Sequence, residues 1–517
     1  MNAVRAATIG KLRQWAGKAA QRQGAWSTRR MLYACLGLVS VAALVAGGPV
    51  HASTAAAPHV AAAAASSGTW GDAEEVPGIA ALAADGSSYP LSLSCGAAGN
   101  CSAGGYYTTF VNEPGPQGAF IVSEKSGTWG TAAEVPGTAA LNRGGLAQLA
   151  SVSCPSAGNC SAGGYYTDGS GHQQAFVVGE ANGTWGTAIE VPGFSALNQS
   201  VLGGLTSVSC ASAGNCSAGG YYTDGSGRQQ AFVVGEANGT WGTAKEVPGF
   251  SALNQGGGAQ LTSVSCASAG NCSAGGTYQD GASHLQVFVV GEANGTWGTA
   301  KEVPGFSALN QGGAGNLDQV SCGAAGNCSA GGDYIDGSDH DQAFVVSEKS
   351  GTWGKAKEVP GTAALDKGAF GELTSVSCAS AGNCSAGGGY IDGSGHDQAF
   401  VVSEKSGTWG KAKEVPGFPT LNKGRFAGLS SVSCASAGNC SAGGHYTNSS
   451  GKQQAFVLGE ANGTWGTAKE VPGSAALNQG GNAVVDQVSC ASAGHCSAAG
   501  TYRTSSGFDE AFVVNET

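Results

Sequence analysis

Short apolar runs recur along the chain, each bounded by Gly-rich polar stretches. In residues 205–249 the order is "LTSVS", "SAGGYYT", "QAFVVG" and "TWGTAKEV", separated by "ASAGN", "DGSG" and "EANG" and closed by Pro248-Gly249. Short runs rich in Val, Phe, Tyr and Trp between such turn signals read as β-strands, and "DGSG" is a strong tight-turn signal. "AFVV" is continuously apolar, as expected of a strand buried on both faces. The pattern predicts four antiparallel strands, at 205–209, 217–223, 230–235 and 240–247.

That unit repeats. A GTW triplet places tryptophan at Trp70, Trp129, Trp185, Trp241, Trp297, Trp353, Trp409 and Trp465; the first interval is 59 residues and every later one is 56. The three extra residues lie within 108–118, where the other copies have a shorter turn. A fixed period of this size marks a solenoid or propeller with one supersecondary unit per copy. Four short strands plus a linker describe a propeller blade. The alternative, eight loosely linked mini-domains, is disfavoured because one four-stranded unit buries too little to stand alone.

The phase of the array adds a second argument. It opens on a fourth strand, "GTWGDAEEVPG" (68–78), and closes on a third, "FDEAFVV" (508–514). Seven blades are complete and the eighth is divided between the two ends. The expected fold is therefore all-β: an eight-bladed β-propeller of four-stranded antiparallel blades. Residues 69–77 pair with 510–514 in the last blade, so that the closed ring leaves no open edge.

Sixteen of the 17 cysteines form pairs six residues apart: Cys95/Cys101, Cys154/Cys160, Cys210/Cys216, Cys266/Cys272, Cys322/Cys328, Cys378/Cys384, Cys434/Cys440 and Cys490/Cys496. Each pair spans the turn between a first and a second strand, where a disulfide fits. Zinc is the competing reading, but the spacing is wrong for a knuckle and no His travels with the pair. No metal or other cofactor is expected.

The first 52 residues differ in kind. Seven basic residues and no acid precede an apolar stretch at 31–48 and a small-residue pattern ending at Ala52, the three parts of a signal peptide. "STRRMLY" (27–33) resembles a twin-arginine export signal, with an ordinary secretory leader or a retained anchor as alternatives. Residues 53–66 read as an Ala-rich disordered lead-in, and 67–517 as the propeller. Export to an oxidising compartment agrees with the even cysteine pairing. A secreted or cell-surface location follows, without stable membrane insertion once the leader is cleaved.

Without the leader, 17 Lys and Arg stand against 35 Asp and Glu, a net charge near −18. No basic cluster remains to neutralise phosphates, which argues against nucleic acid as a partner. The usual catalytic and nucleotide-binding motifs are absent from the sequence. "IDGSDHD" (335–341) is acidic but matches no full calcium-ligand set.

A residue present in every copy cannot by itself make a singular centre, so candidate sites are the positions that break the repeat. One set follows the "DGSG" turn: His172, Arg228, His284, His340, His396 and Lys452. In a propeller this turn and the blade-to-blade linkers emerge on one face, and the linkers also vary most. Loops on a rigid scaffold are where binding tends to sit. The other set lies four residues before the first cysteine, at the channel mouth, where two blades carry Asp318 and Asp486. Paired carboxylates serve glycoside cleavage at about 5–10 Å separation, but these belong to blades five and eight. "NGT" sequons at Asn182, Asn238, Asn294 and Asn462 matter in a glycosylating host.

The "SVSCxxxGxCSAGG…AFVV…NGTWG…EVPG" unit resembles repeats of secreted bacterial proteins of actinobacterial type that look like β-propellers. The resemblance covers 68–514 and implies export and fold, but no activity. "SEKSGTWG" (123–130, 347–354, 403–410) also looks like the Asp-box turn of sialidase-type propellers. The Asp is missing, however, and the spacing is one residue short. The mature chain's arginines, Arg143, Arg228, Arg425 and Arg503, stand on four different blades, which does not suit a sialidase.

The expected function is a monomeric binding or scaffold propeller for an extracellular glycan or protein, without catalysis. A polysaccharide hydrolase or lyase acting at the channel mouth is the alternative.

Overall fold

A computed structural model describes residues 68–109 and 115–517. Eight antiparallel sheets succeed one another, numbered here as blades from the one whose first strand is Ser88–Ala97 to the one whose first strand is Ala483–Ser492. First strands of consecutive blades contact one another all the way round, including those of blades eight and one, so they form the innermost layer of a closed ring. The leader, the Ala-rich lead-in and part of the 108–118 insertion lie outside the described residues. Among the described residues no helix is long and apolar enough to cross a membrane.

Blade three shows the local logic. Its strands are Gly204–Ser212, Asn215–Thr223 and Gln229–Ala237, each longer than the apolar pattern alone suggests because pairing continues into the turns. The expected fourth strand is broken into Thr240–Trp241 and Lys245–Glu246, both paired to the third strand. Between the two pieces the chain leaves its own sheet, and the Ala244 N–H donates to the Pro192 carbonyl of the preceding blade (2.8 Å). The same bond recurs at every blade, ending with Ala73 on Pro472 (2.7 Å). After Val191 the sequence Pro192-Gly193 makes a turn closed by Phe194 N–H on Val191 O (3.0 Å), with Gly193 at φ 76°. Pro sets the second position of such a turn, and the third requires positive φ, which glycine adopts without strain. One helical turn, Phe194–Leu197, follows within the linker, which the apolar pattern did not reveal. Its Phe194 is buried edge-on against Phe232 at 4.9 Å.

The hydrophobic cores lie between blades rather than within them. One core joins Ala175, Val177, Val191 and Phe194 of blade two to Leu205, Val208, Cys210, Cys216, Phe232 and Val234 of blade three, and seven equivalent cores complete the ring. Mini-domains are thereby excluded, since no single blade owns a core. Blades converge toward the axis, so their inner strands use small residues. A Cβ on Gly219 would lie 2.9 Å from Leu261 Cδ1 of the next blade.

The inner edge, an open strand edge in most sheets, is capped by side chains. Ser207 and Ser209 of "SVSC" accept the N–H groups of Val264 (2.9 Å) and Cys266 (3.0 Å) in the next blade. The outer of these bonds closes the ring at Ser489, which accepts from Cys95 N–H (3.0 Å). Alternate residues of this strand, Val208 and Cys210, turn back into the preceding core.

All eight cysteine pairs are disulfides, with Cα–Cα distances between 3.9 and 4.1 Å. As expected, each joins the end of a first strand to the start of a second across the hairpin, with Cys328 directly opposite Cys322 and Cys384 directly opposite Cys378. The hairpin runs on past them to the pairs Ala324–Asn327 and Ser380–Asn383. Directly opposed strand residues come closer than most bonded cysteines, whose Cα atoms are usually about 4.4–6.8 Å apart. The closing strand is also present: Glu74–Glu75 pairs with Phe512 and Val513, and Trp70 bridges to Glu516.

Candidate functional site

The two faces are built differently. On the disulfide face, the hairpin turn of the first two strands is laced by backbone to the GTW turn, as in Gly239 N–H on Gly214 O (2.9 Å). Asn215 Oδ1 meanwhile receives the Asn238 N–H (3.3 Å). The sequon asparagines Asn182, Asn238, Asn294 and Asn462 are exposed here, at φ between 50° and 52°. Below these turns lies a ring of buried glutamates, one per blade: Glu124, Glu180, Glu236, Glu292, Glu348, Glu404, Glu460 and Glu516. A serine of the preceding blade's second strand donates to most of them, for example Ser161 to Glu236 (3.0 Å) and Ser385 to Glu460 (2.8 Å). Burial pushes the carboxyls of Glu236, Glu292 and Glu348 above their usual range, against a lowering serine hydrogen bond.

The half-cystines beside this ring serve the framework and no site. Cys328 and Cys384 are buried, and their sulfurs rest 3.4 and 3.5 Å from the hydroxyls of Ser273 and Ser329 in the preceding blade. Bonded to Cys322 and Cys378, they offer no thiol to a ligand.

On the linker face the side chains following the "DGSG" turn divide into two kinds. In each of the six copies the backbone N–H donates to the turn-opening Asp or Asn, as His172 does to Asp168 (3.0 Å) and Lys452 to Asn448 (3.1 Å). His284, His340 and His396 then face the aspartate four residues back, at 3.6, 3.8 and 3.3 Å. Arg228 and Lys452 instead reach the next linker. Arg228 donates to the carbonyls of Asn254 (3.1 Å) and Gln255 (2.6 Å), and Lys452 to that of Gln479 (3.4 Å). Burial opposes ionisation of Asp168, Asp224, Asp280 and Asp392. The backbone donors and a glutamine amide outweigh it and hold these carboxyls below the usual range. The six residues thus succeed one another on blades two to seven, each bonded to its own turn.

Asp318 and Asp486 both sit half-buried near the start of their first strands. Asn316 donates to Asp318 (2.8 Å) and Thr501 to Asp486 (2.7 Å), each bond lying within its own blade. The equivalent threonines are β-bulge residues: Thr206 donates to Gly219 O (3.1 Å) and across the interface to Leu261 O (2.6 Å). Among the described residues, only Cys210–Cys216–Glu236 and Cys266–Cys272–Glu292 bring three ligand-type groups close enough to share an ion. The cysteines of both are disulfide-bonded and offer no thiolate.

One position escaped the sequence reading. The second strand carries Tyr106, Tyr165, Tyr221, Thr277, Asp333, Gly389, His445 and Thr501 at a single register, immediately before a tyrosine repeated in every blade. The structure joins it to the start of the first strands. Tyr106 stacks on Tyr89 at 5.0 Å, Tyr165 donates to Gln148 (3.2 Å), and Thr277 donates to Asn316 of the next blade (3.0 Å). Tyr106, Gly389, His445 and Thr501 are buried, whereas Tyr165, Tyr221, Thr277 and Asp333 are half-buried and, with Asp318 and Asp486, form the accessible part of this register at the linker end of the inner strands. The available signal was variation at a single register within an otherwise repeated "SAGG-x-Y".

No family model and no curated protein matches the chain. Solved structures resemble the chain at low identity and low TM-score. An ulvan lyase, from a new polysaccharide lyase family and bound to a GlcA–Rha3S unit, is 10% identical over 83% of this chain and 94% of its own (TM-score 0.41). A subtype N11 neuraminidase-like protein of a flat-faced bat isolate from Peru is 12% identical over 71% of this chain and 86% of its own (TM-score 0.34). A protein of unknown function from Dyadobacter fermentans is 11% identical over 60% of this chain and 94% of its own (TM-score 0.35).

Proposed function

We propose that the protein is an exported, non-enzymatic propeller that binds an extracellular glycan through its linker face. The observation that supports this reading is the confinement of variation to that face. The disulfide face repeats nearly identical turns, whereas the linker face carries five residue types over eight blades at the tyrosine-to-threonine register, and its linkers vary as well. Half-buried tyrosines beside amide, hydroxyl and carboxylate groups suit a hydroxyl-rich ligand, which needs flat apolar contact together with many hydrogen-bond partners. The ring of His172, Arg228, His284, His340, His396 and Lys452 forms the outer boundary, with isolated positive points on an otherwise acidic molecule.

The competing reading, a hydrolase or lyase at the axial mouth, draws on the same acids. Asp318 and Asp486 are held by separate neighbours, three blades apart. A glycan array with the purified protein, run beside a product screen on every sugar bound, separates the two. Binding without cleavage is the expected result; new reducing or unsaturated ends would establish an enzyme. Retention of a protein ligand only, with no glycan bound, would replace the glycan with a protein partner.

A further inference from the structure

Four departures of the interface between blades eight and one from the other seven meet at one place. First, the linkers into blades two to five, seven and eight carry an asparagine that donates to the start of the preceding third strand, as Asn198 does to Gln173 O (2.6 Å). The linker into blade one has Ala83 there. Second, Ser88 opens the first strand where other blades have Ala or Gly, and its Oγ accepts the Ala511 N–H (2.9 Å). Third, Glu510 occupies a third-strand position that is glutamine in six blades, among them Gln174 and Gln230, which donate to the aspartate of their own turn. Fourth, Thr504 replaces that aspartate in blade eight, so Glu510 faces across the seam instead and receives the Ser88 hydroxyl at 2.6 Å.

Charged neighbours close around this pair. On the closing strand, Glu75 accepts from Tyr502 Oη at 2.6 Å, and Tyr502 lies directly opposite Glu510 in the ladder. On the third strand itself stands Asp509, held by Arg503 (2.8 and 3.1 Å) and by the Tyr89 hydroxyl of blade one (2.9 Å). Arg503 is thus engaged by Asp509, leaving Glu510, only 7% exposed, without a cation of its own.

We propose that Glu510 makes closure of the ring pH-sensitive, locking the seam when protonated and loosening it when ionised. A protonated Glu510 keeps the Ser88 bond and adds no charge between Glu75 and Asp509. An ionised one places a third carboxylate in a buried site whose only cation is already paired, and burying an unpaired charge is costly. Burial first, then Glu75 and Asp509, push this carboxyl up to about 7, against the lowering Ser88 bond. A group raised in the closed form contributes stability below its ordinary value and loses it as pH rises through the raised one. The seam should therefore weaken between about pH 5 and 8 by more than the glutamine-bearing interfaces, where the residue at this register does not ionise.

Hydrogen exchange of the full chain from pH 5 to 8, expressed as protection factors, tests this in peptides covering 70–78 and 509–516. The third strand of blade seven, Gln453–Ala461, serves as reference. Protection at the seam should fall roughly tenfold or more relative to the reference, and Glu510→Gln should remove that fall while retaining protection at pH 8. Glu75→Gln should move the midpoint to lower pH. A seam as flat as the reference in the parent, or an unchanged fall in Glu510→Gln, overturns the proposal. An unmoved midpoint in Glu75→Gln overturns the role given to repulsion.

Discussion

Ser347 donates a 2.8 Å hydrogen bond to Glu404 of the next blade and accepts the Trp409 indole N–H at 3.1 Å. One side chain thereby satisfies two buried groups across an interface. Ser403 does the same for Glu460 and Trp465. At the same register blades two, three, four and seven have Gly179, Gly235, Gly291 and Gly459, and Trp297 Nε1, which would face Gly235, is left unpaired.

Gly235→Ser should therefore stabilise the protein. A Cβ there meets only Cys216 O, at 4.0 Å, and the backbone is not in the left-handed region. The new hydroxyl reaches Glu292 and Trp297, for a gain of about 1 kcal/mol. A denaturant titration measures it; an unchanged or lower midpoint contradicts the assignment.

Stability should rise on mild acidification. Glu124, Glu180, Glu236, Glu292, Glu348 and Glu516 are pushed up, first by burial, so each favours the fold below its ordinary value and less as pH climbs. The turn aspartates are shifted the other way, and their contribution is already complete above about pH 4. Melting temperature is expected to be higher at pH 5 than at pH 8, with the difference reduced in Glu236→Gln/Glu292→Gln/Glu348→Gln. A higher melting temperature at pH 8 would reverse the sign.

The disulfides should resist mild reductant under native conditions, since every bonded cysteine is at most 8% exposed. Full reduction after unfolding should lower the melting temperature, because each bond restrains a seven-residue loop worth roughly 2 kcal/mol. The strand content should survive at 25 °C, the cores being formed between blades. Thiol titration and circular dichroism check the two halves; loss of the β signal on mild reduction contradicts both.

Deleting 68–78 should cause association or aggregation. It removes the partner of Phe512 and Val513, opening an apolar edge, and it frees Pro472 O from Ala73. Size-exclusion chromatography indistinguishable from the parent would show that closure does not depend on this strand.

On the linker face, combined His284→Ala, His340→Ala and His396→Ala should weaken glycan binding with little change in melting, since each imidazole's ion pair is with the aspartate of its own turn. Asn238→Ala on the disulfide face should leave binding intact. The opposite pattern would move the site to the disulfide face.

What the sequence disclosed was local. The cysteine hairpin, the GTW turn and the Pro-Gly corner are each complete within ten residues, and the phase of the array announced the split blade. The inter-blade bonds were hidden because their partners stand far apart: Ser207 and Val264 are 57 positions apart, and serine in "SVSC" looks like any polar residue alternating along a strand. The linker helix was hidden because a four-residue turn shows no periodicity. The varied second-strand register was masked by its constant neighbours, the glycines before it and the tyrosine after it.

The serines that cap each inner edge also give the ring a direction. Every blade offers hydroxyl acceptors to its successor and N–H donors to its predecessor, so the contact is head-to-tail and never self-complementary. A chain prevented from closing on itself would end in a free donor edge at Cys95 and a matching acceptor at Ser489. Two such chains cannot satisfy each other symmetrically by a single twofold contact. They can only add end to end, and the product would be a larger ring or an open filament whose pitch follows the angle between neighbouring blades.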